Sequence, residues 1–170
     1  MKPGDDPGFF RSPPPEGRSR ESTIRLDAEG HFFHEGERVD HPRLAAAMHT
    51  WIARHPDDGR YILNNGYDWT YFTVDDAPYT VTAVRRAGEE LRVTLSDGTE
   101  EPWDLRTTRI APPDGPSAGA LYARVKAAAF GGPFEARFTR HAQAGLAPLL
   151  VESAGAPAIV VDGKAVPIGA

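Results

Sequence analysis

From Thr23 onward the chain alternates short apolar runs with acidic-glycine turns, a pattern of strands only a few residues long. Ile24 to Asp27, His31 to His34 and Glu37 to Val39 are separated by Glu29-Gly30 and Glu35-Gly36, where glycine supplies the positive φ of a tight hairpin. Two hairpins in succession are predicted. Leu44, Met48, Trp51 and Ile52 then recur at three- and four-residue spacing, which predicts a helix from about His41 to His55 with one apolar stripe turned to a sheet. Asp40 is its expected cap, Pro42 fits its first turn, and Pro56-Asp57-Asp58-Gly59 stops it.

The middle of the chain is rich in β-branched and aromatic residues. Arg60 to Asn64 and Asp68 to Val74 flank Asn65-Gly66 and should pair antiparallel. Tyr79 to Arg85, Leu91 to Leu95 and Thr99 to Trp103 follow as a meander, with Thr107 to Ala111 as a further strand before the loop Pro112 to Pro116. Ala118 to Phe130 is alanine-rich and reads as a short helix ended by Gly131-Gly132-Pro133. Phe134 to Thr139 alternates as a half-buried strand, and His141 to Ser153 has helical composition interrupted at Pro148. A last hairpin runs from Ala158 to Val161, turns at Asp162-Gly163 and returns along Lys164 to Ile168. Short antiparallel strands with few helices define the α+β class.

Composition narrows the function classes. The 170 residues are 40% hydrophobic and 25% charged, which suits a folded chain with its own core. A net charge of -5 provides no field to hold a nucleic acid, and the absence of cysteine excludes disulfides, thiol catalysis and Cys-based metal sites. Residues 1–20 hold five prolines and three glycines without apolar periodicity and read as a flexible arm. Asp5, Asp6 and the prolines stand where a secretory leader needs an apolar run, and no stretch approaches the roughly 20 residues of a membrane span, so a cytoplasmic, membrane-free setting is expected.

Candidate chemistry is sparse. Five of six histidines lie between His31 and His55, but their spacing places no two ligands beside a base on one helix face, so no metal is expected. Neither a Gly-x-Ser-x-Gly elbow nor a phosphate loop occurs. Asp57-Asp58 and Asp75-Asp76 sit in turns, where aspartate normally bonds its own backbone. Trp69 and Tyr71 share a strand face, with Tyr61, Tyr67 and Tyr79 on neighbouring segments; such a row is core by default and otherwise a stacking platform. Arg137 and Arg140 are the candidates to meet phosphate, with a plain surface charge as the competing reading.

Several segments resemble, in collinear order, the proteobacterial family named domain of unknown function 1285. They are Gly30 to Gly36, Asp58 to Leu63, Phe72 to Tyr79, Phe134 to Arg137 and Val161 to Gly169. The resemblance implies two related antiparallel sheet-plus-helix halves, the second pleckstrin-homology-like. Such halves would here comprise residues 21–76 and 77–170, following the arm. Phe32 to Val39 and Ile159 to Val166 do share two apolar residues, an acidic-glycine turn and a later valine. The resemblance further implies a signalling role and a small, nucleotide-like molecule held between the halves; a non-enzymatic ligand-binding or signalling protein without a cofactor is therefore expected. Tyr61, Trp69, Tyr71 and Tyr79 would wall that site, Asp76 would orient a polar group, and Arg137 and Arg140 would meet negative charge. The alternative is a protein-interaction module that uses a sheet edge or the arm.

Overall fold

Three two-residue turns show how this sequence makes its hairpins. Glu35-Gly36, Ala154-Gly155 and Asp162-Gly163 have φ values of 54° and 80°, 52° and 80°, and 53° and 73°. Two consecutive positive φ angles are the type I′ signature, whose twist matches that of the flanking strands. A computed structural model describes residues 1–169. It is α+β, with few helices and several small sheets, and divides into two compact units: Met1–Pro78 with Ala128–Gly132, and Tyr79–Ala127 with the residues from Pro133 onward.

Unit 1 contains β1 (Arg25–Leu26), β2 (Phe32–His34), β3 (Glu37–Arg38), α1 (Pro42–Thr50), β4 (Ile52–Arg54), β5 (Tyr61–Asn64), β6 (Trp69–Tyr71) and β7 (Thr73–Val74). One sheet has the order β3-β2-β1-β7, and the other is the antiparallel β4-β5-β6. The run expected as one strand from Asp68 to Val74 is divided: β6 pairs with β5, whereas β7 pairs parallel with β1. Buried Phe72 separates them, with its ring 6.1 Å from that of Phe32 and 6.3 Å from that of Tyr61.

The helix is shorter than its stripe suggests. It ends at Thr50, and Ile52, Ala53 and Arg54 instead pair with Leu63, Ile62 and Tyr61. β-branched Ile52 beside Trp51 favours an extended conformation, and the ladder to β5 supplies partners that a helix end lacks. The cap is His41 rather than Asp40: with Pro42 in the first turn, His41 Nδ1 accepts from the Leu44 amide at 3.3 Å. Residues 1–20, read as an arm, include two single 3₁₀ turns, and Phe9 is buried against Ile62 and Trp69.

Unit 2 contains β8 (Tyr79–Ala87), β9 (Glu90–Leu95), β10 (Glu100–Pro102), β11 (Arg109–Ile110), β12 (Leu121–Val125), β13 (Phe134–Phe138), α2 (Arg140–Ala144), β14 (Leu150–Ser153), β15 (Ala156–Val161) and β16 (Lys164–Pro167). Its main sheet has the order β10-β9-β8-β13-β12-β11, antiparallel except for β13 against β8. Val81, Val93, Ala136 and Phe138 lie in its core. The helix expected over Ala118 to Phe130 is absent; Leu121–Val125 forms β12. Leu121, Tyr122, Ala123 and Val125 are all buried, so the strand is covered on both faces and loses the alternation that marks a half-exposed one. The helical composition from His141 to Ser153 likewise yields only the five-residue α2, a 3₁₀ turn and β14. Among the described residues, no helix is long and apolar enough to cross a membrane.

Candidate ligand groove

The register of β4-β5-β6 sorts the unit 1 side chains onto two faces. Ala53, Ile62 and Tyr71 are aligned across one face, and Trp69, two residues before Tyr71, joins them. Ile52, Leu63 and Thr70 are aligned across the other, shared by Tyr61. Trp69 and Tyr71 therefore share a face, as their spacing suggests, and Tyr61 points the opposite way.

The Trp69 face is filled by the chain's own groups. The Trp69 indole N–H donates to the Phe9 carbonyl at 3.3 Å, and the rings of His55 and Tyr71 lie 4.9 and 5.1 Å away. The Arg20 guanidinium lies 4.4 Å from the Trp69 ring centre. Buried His55 accepts the Asp57 amide at Nδ1, 3.1 Å, which leaves Nε2–H to donate to the Phe10 carbonyl, also at 3.1 Å. Arg60 stacks 3.7 Å over Tyr71 and pairs with both Glu21 oxygens at 2.8 Å. The Tyr71 hydroxyl donates to Asp58 at 2.7 Å. Burial, and then this bond, pushes the phenol up, while the same bond holds Asp58 below the usual carboxylate range. On the opposite face, Arg54 lies 5.2 Å from the Tyr61 ring.

Where α1 meets the second face, the structure leaves an open groove of about 300 Å³. Leu44 and Met48 from α1, Trp51 just after it and Leu63 from the sheet form its apolar walls, with Ile24 and Val39 alongside and Trp69, whose ring lies on the first face, at its border. Its polar groups are His34, Asn65 and Asp68 of the β5–β6 connection, and Thr70 on β6. The turn is built by side-chain mimicry of backbone: Asn65 Oδ1 accepts the amides of Tyr67 and Asp68 at 2.9 and 2.8 Å. Asp68 Oδ1 accepts from the Trp69 amide at 2.9 Å and pairs with Arg20.

The remaining expected site residues fall in both units. Asp76 is half-buried in the bend after β7. In unit 2, Tyr79 is buried, and burial, followed by the Asp97 and Glu101 carboxylates, raises its hydroxyl well above the ordinary phenol range. Arg137 is half-buried on β13, donates to Ser117 Oγ at 3.1 Å and lies 6.0 Å from the Tyr122 ring. Arg140 is exposed at the first position of α2. The structure thus groups Trp69 with Tyr71, leaves Tyr61 on the opposite face of their sheet, and assigns Tyr79, Arg137 and Arg140 to the other unit. Among the described residues, no three His, Asp or Glu side chains converge as a metal site.

Sequence reasoning missed the groove and one half-buried ion pair. Leu44, Met48 and Trp51 were legible as an apolar stripe, but not that the stripe is only partly covered: Leu44 is 45% exposed. In unit 2, Lys126 Nζ lies 2.5 Å from Asp97 Oδ2 and 5.4 Å from the Tyr79 ring centre. Lys126 has φ 55°, and its amide donates to Glu101 at 3.1 Å. Burial pushes Asp97 up, but its bonds from Lys126 and Thr99 outweigh this and hold it low.

This α+β architecture of small sheets has solved counterparts. A DUF1285 family protein from Silicibacter pomeroyi superposes with a TM-score of 0.67 and 19% identity, over 94% of this chain and 92% of that one. A second DUF1285 family protein, from Shewanella baltica, gives 0.53 and 19%, over 72% and 87%. The chain has the fold of that family. No family model matches the sequence, and no curated protein matches it.

Proposed function

We propose that this protein binds a small, largely apolar molecule in the unit 1 groove and works through recognition rather than bond breaking. One observation carries the reading: a groove of about 300 Å³, of the size small ligands occupy, has walls of aliphatic side chains and the Trp51 indole with only four polar residues, His34, Asn65, Asp68 and Thr70, along it. The nucleotide-like ligand implied by the family resemblance would draw its support elsewhere, from Arg137 and Arg140 of unit 2. Among the described residues, no lysine or arginine lines the unit 1 groove. A thermal-shift panel of apolar fragments and nucleotides tests this, since a ligand at one hundred times its Kd adds about 2.7 kcal/mol. Apolar fragments should raise the midpoint, and Leu44→Trp, which fills the groove mouth, should abolish the rise. A midpoint that no apolar fragment moves, or that moves equally in Leu44→Trp, contradicts the assignment.

A protein-recognition role is the second reading, favoured by exposed Leu150 and Val151 on edge strand β14. A pull-down that survives deletion of residues 1–20 and is lost in Val151→Asp would support it. We also take the units to be related copies, the second pleckstrin-homology-like. The type I′ acidic-glycine hairpin found in each supports this, as does the curl of the main unit 2 sheet that lets Glu101 on β10 accept the Lys126 amide beyond β12. A cytoplasmic signalling setting is part of the same proposal.

A further inference from the structure

The geometry points to an amine-bearing apolar molecule, an alkyl- or aryl-ammonium, as the occupant of the unit 1 groove, with Asp68 as its counter-ion. This rests on the groove being a ligand site. Asp68 and His34 are the titratable side chains that line it. Both bonds that fix the Asp68 carboxylate, from Arg20 and from the Trp69 amide, fall on Oδ1. Oδ2 is therefore held in place without being consumed, on a side chain that is 49% exposed.

The neighbouring cation, Arg20, pairs with Asp68 through Oδ1 alone and is held there by further bonds. Arg20 is 15% exposed, donates to the carbonyls of Trp69, Ser12 and Pro13 at 2.9, 3.2 and 3.3 Å, and stacks on the Trp69 ring. It is not a wall of the groove. An anionic ligand would meet Asp68 with no guanidinium free to turn toward it. An ammonium would gain a charge-assisted bond to a preorganised oxygen, and the Trp51 indole attracts a cation further.

Three probes of one shape test this on the full chain at pH 8: phenethylamine, ethylbenzene and 3-phenylpropionate, by calorimetric titration and amide NMR shifts. Phenethylamine should bind at least roughly tenfold tighter than 3-phenylpropionate, with ethylbenzene between them and the shifts confined to residues 63–70 and α1. Asp68→Asn keeps an acceptor for the Trp69 amide and should bring the amine down to the level of ethylbenzene. Equal affinities in the unaltered protein, or a preference unchanged in Asp68→Asn, overturn the amine assignment and leave the groove reading standing. Groove shifts with none of the three overturn both. Should Asp68→Asn fail to fold, Leu44→Lys at its exposed position should weaken the amine and strengthen 3-phenylpropionate; no change in either direction overturns the assignment.

Discussion

Arg20 lies over Trp69 and also donates to that residue's own backbone carbonyl, so one guanidinium covers the ring face and ties down the strand that carries it. A ring held this way is packed on both sides and is not a vacant stacking platform. Arg20→Ala should destabilise unit 1 by about 2–3 kcal/mol, the sum expected for a partly desolvated cation–π contact and a charged hydrogen bond. Arg20→Lys should fall between. Urea unfolding measures both, and a loss below about 0.5 kcal/mol would show that the stack does not hold the turn.

The segment before residue 20 should matter to stability as well. Phe9 is 9% exposed, packs with Ile62 and Trp69, and lies edge-on to Phe10 at 5.2 Å. Phe9→Ala should cost about 2–4 kcal/mol, at the lower end of buried aromatic truncations because the segment can relax. Deleting residues 1–12 should also lower the thermal midpoint, since it removes the Arg11–Asp57 pair as well. An unchanged midpoint would mean that the segment does not dock.

In unit 2 the half-buried Asp97–Lys126 pair is the sensitive point. The Asp97 and Lys126 side chains are 7% and 17% exposed, so deleting one partner leaves a charge with little water. Asp97→Ala should cost about 3 kcal/mol, and the double variant Asp97→Leu, Lys126→Met should cost less than that single change. Chemical denaturation of the three proteins decides it; a double variant worse than Asp97→Ala would reverse the argument.

Acid should loosen the same unit. Hydrogen bonds from Arg85 and then Arg92 pull the Glu100 carboxyl down from its ordinary 4.5 to about 2, and Asp97 is also held low. A carboxylate with a depressed folded pKa contributes stability that is complete above its unfolded value. The contribution is lost as pH falls through about 4.5 toward about 2. Glu100→Gln should flatten the decline of the unfolding midpoint over that window. An equal decline in both proteins would place the acid sensitivity elsewhere.

Local devices were legible in the sequence, and tertiary ones were not. Glu35-Gly36 and Asp162-Gly163 announced their hairpins because the chemistry of a positive φ is local. Ala154-Gly155 did the same structural work, but alanine gives no such signal. β12 was hidden because burial on both faces removes alternation, and the alanines on either side of it favour helix in isolation. The pairing of Ile52 with Leu63 could not be foreseen from a stripe that satisfies helical spacing equally well. For the same reason the site was read as an aromatic row. Spacing placed Trp69 beside Tyr71, but only the register puts Tyr61 on the opposite face and opens a groove beneath Leu44.

The most direct measurement is of intermolecular NOEs from an uncharged probe, ethylbenzene, to the methyl groups of the protein. Contacts to the Met48 and Leu63 methyls, lost in Leu44→Trp, are the expected result. Contacts confined to other methyls, or no contacts at a saturating probe concentration, would contradict a ligand groove in unit 1.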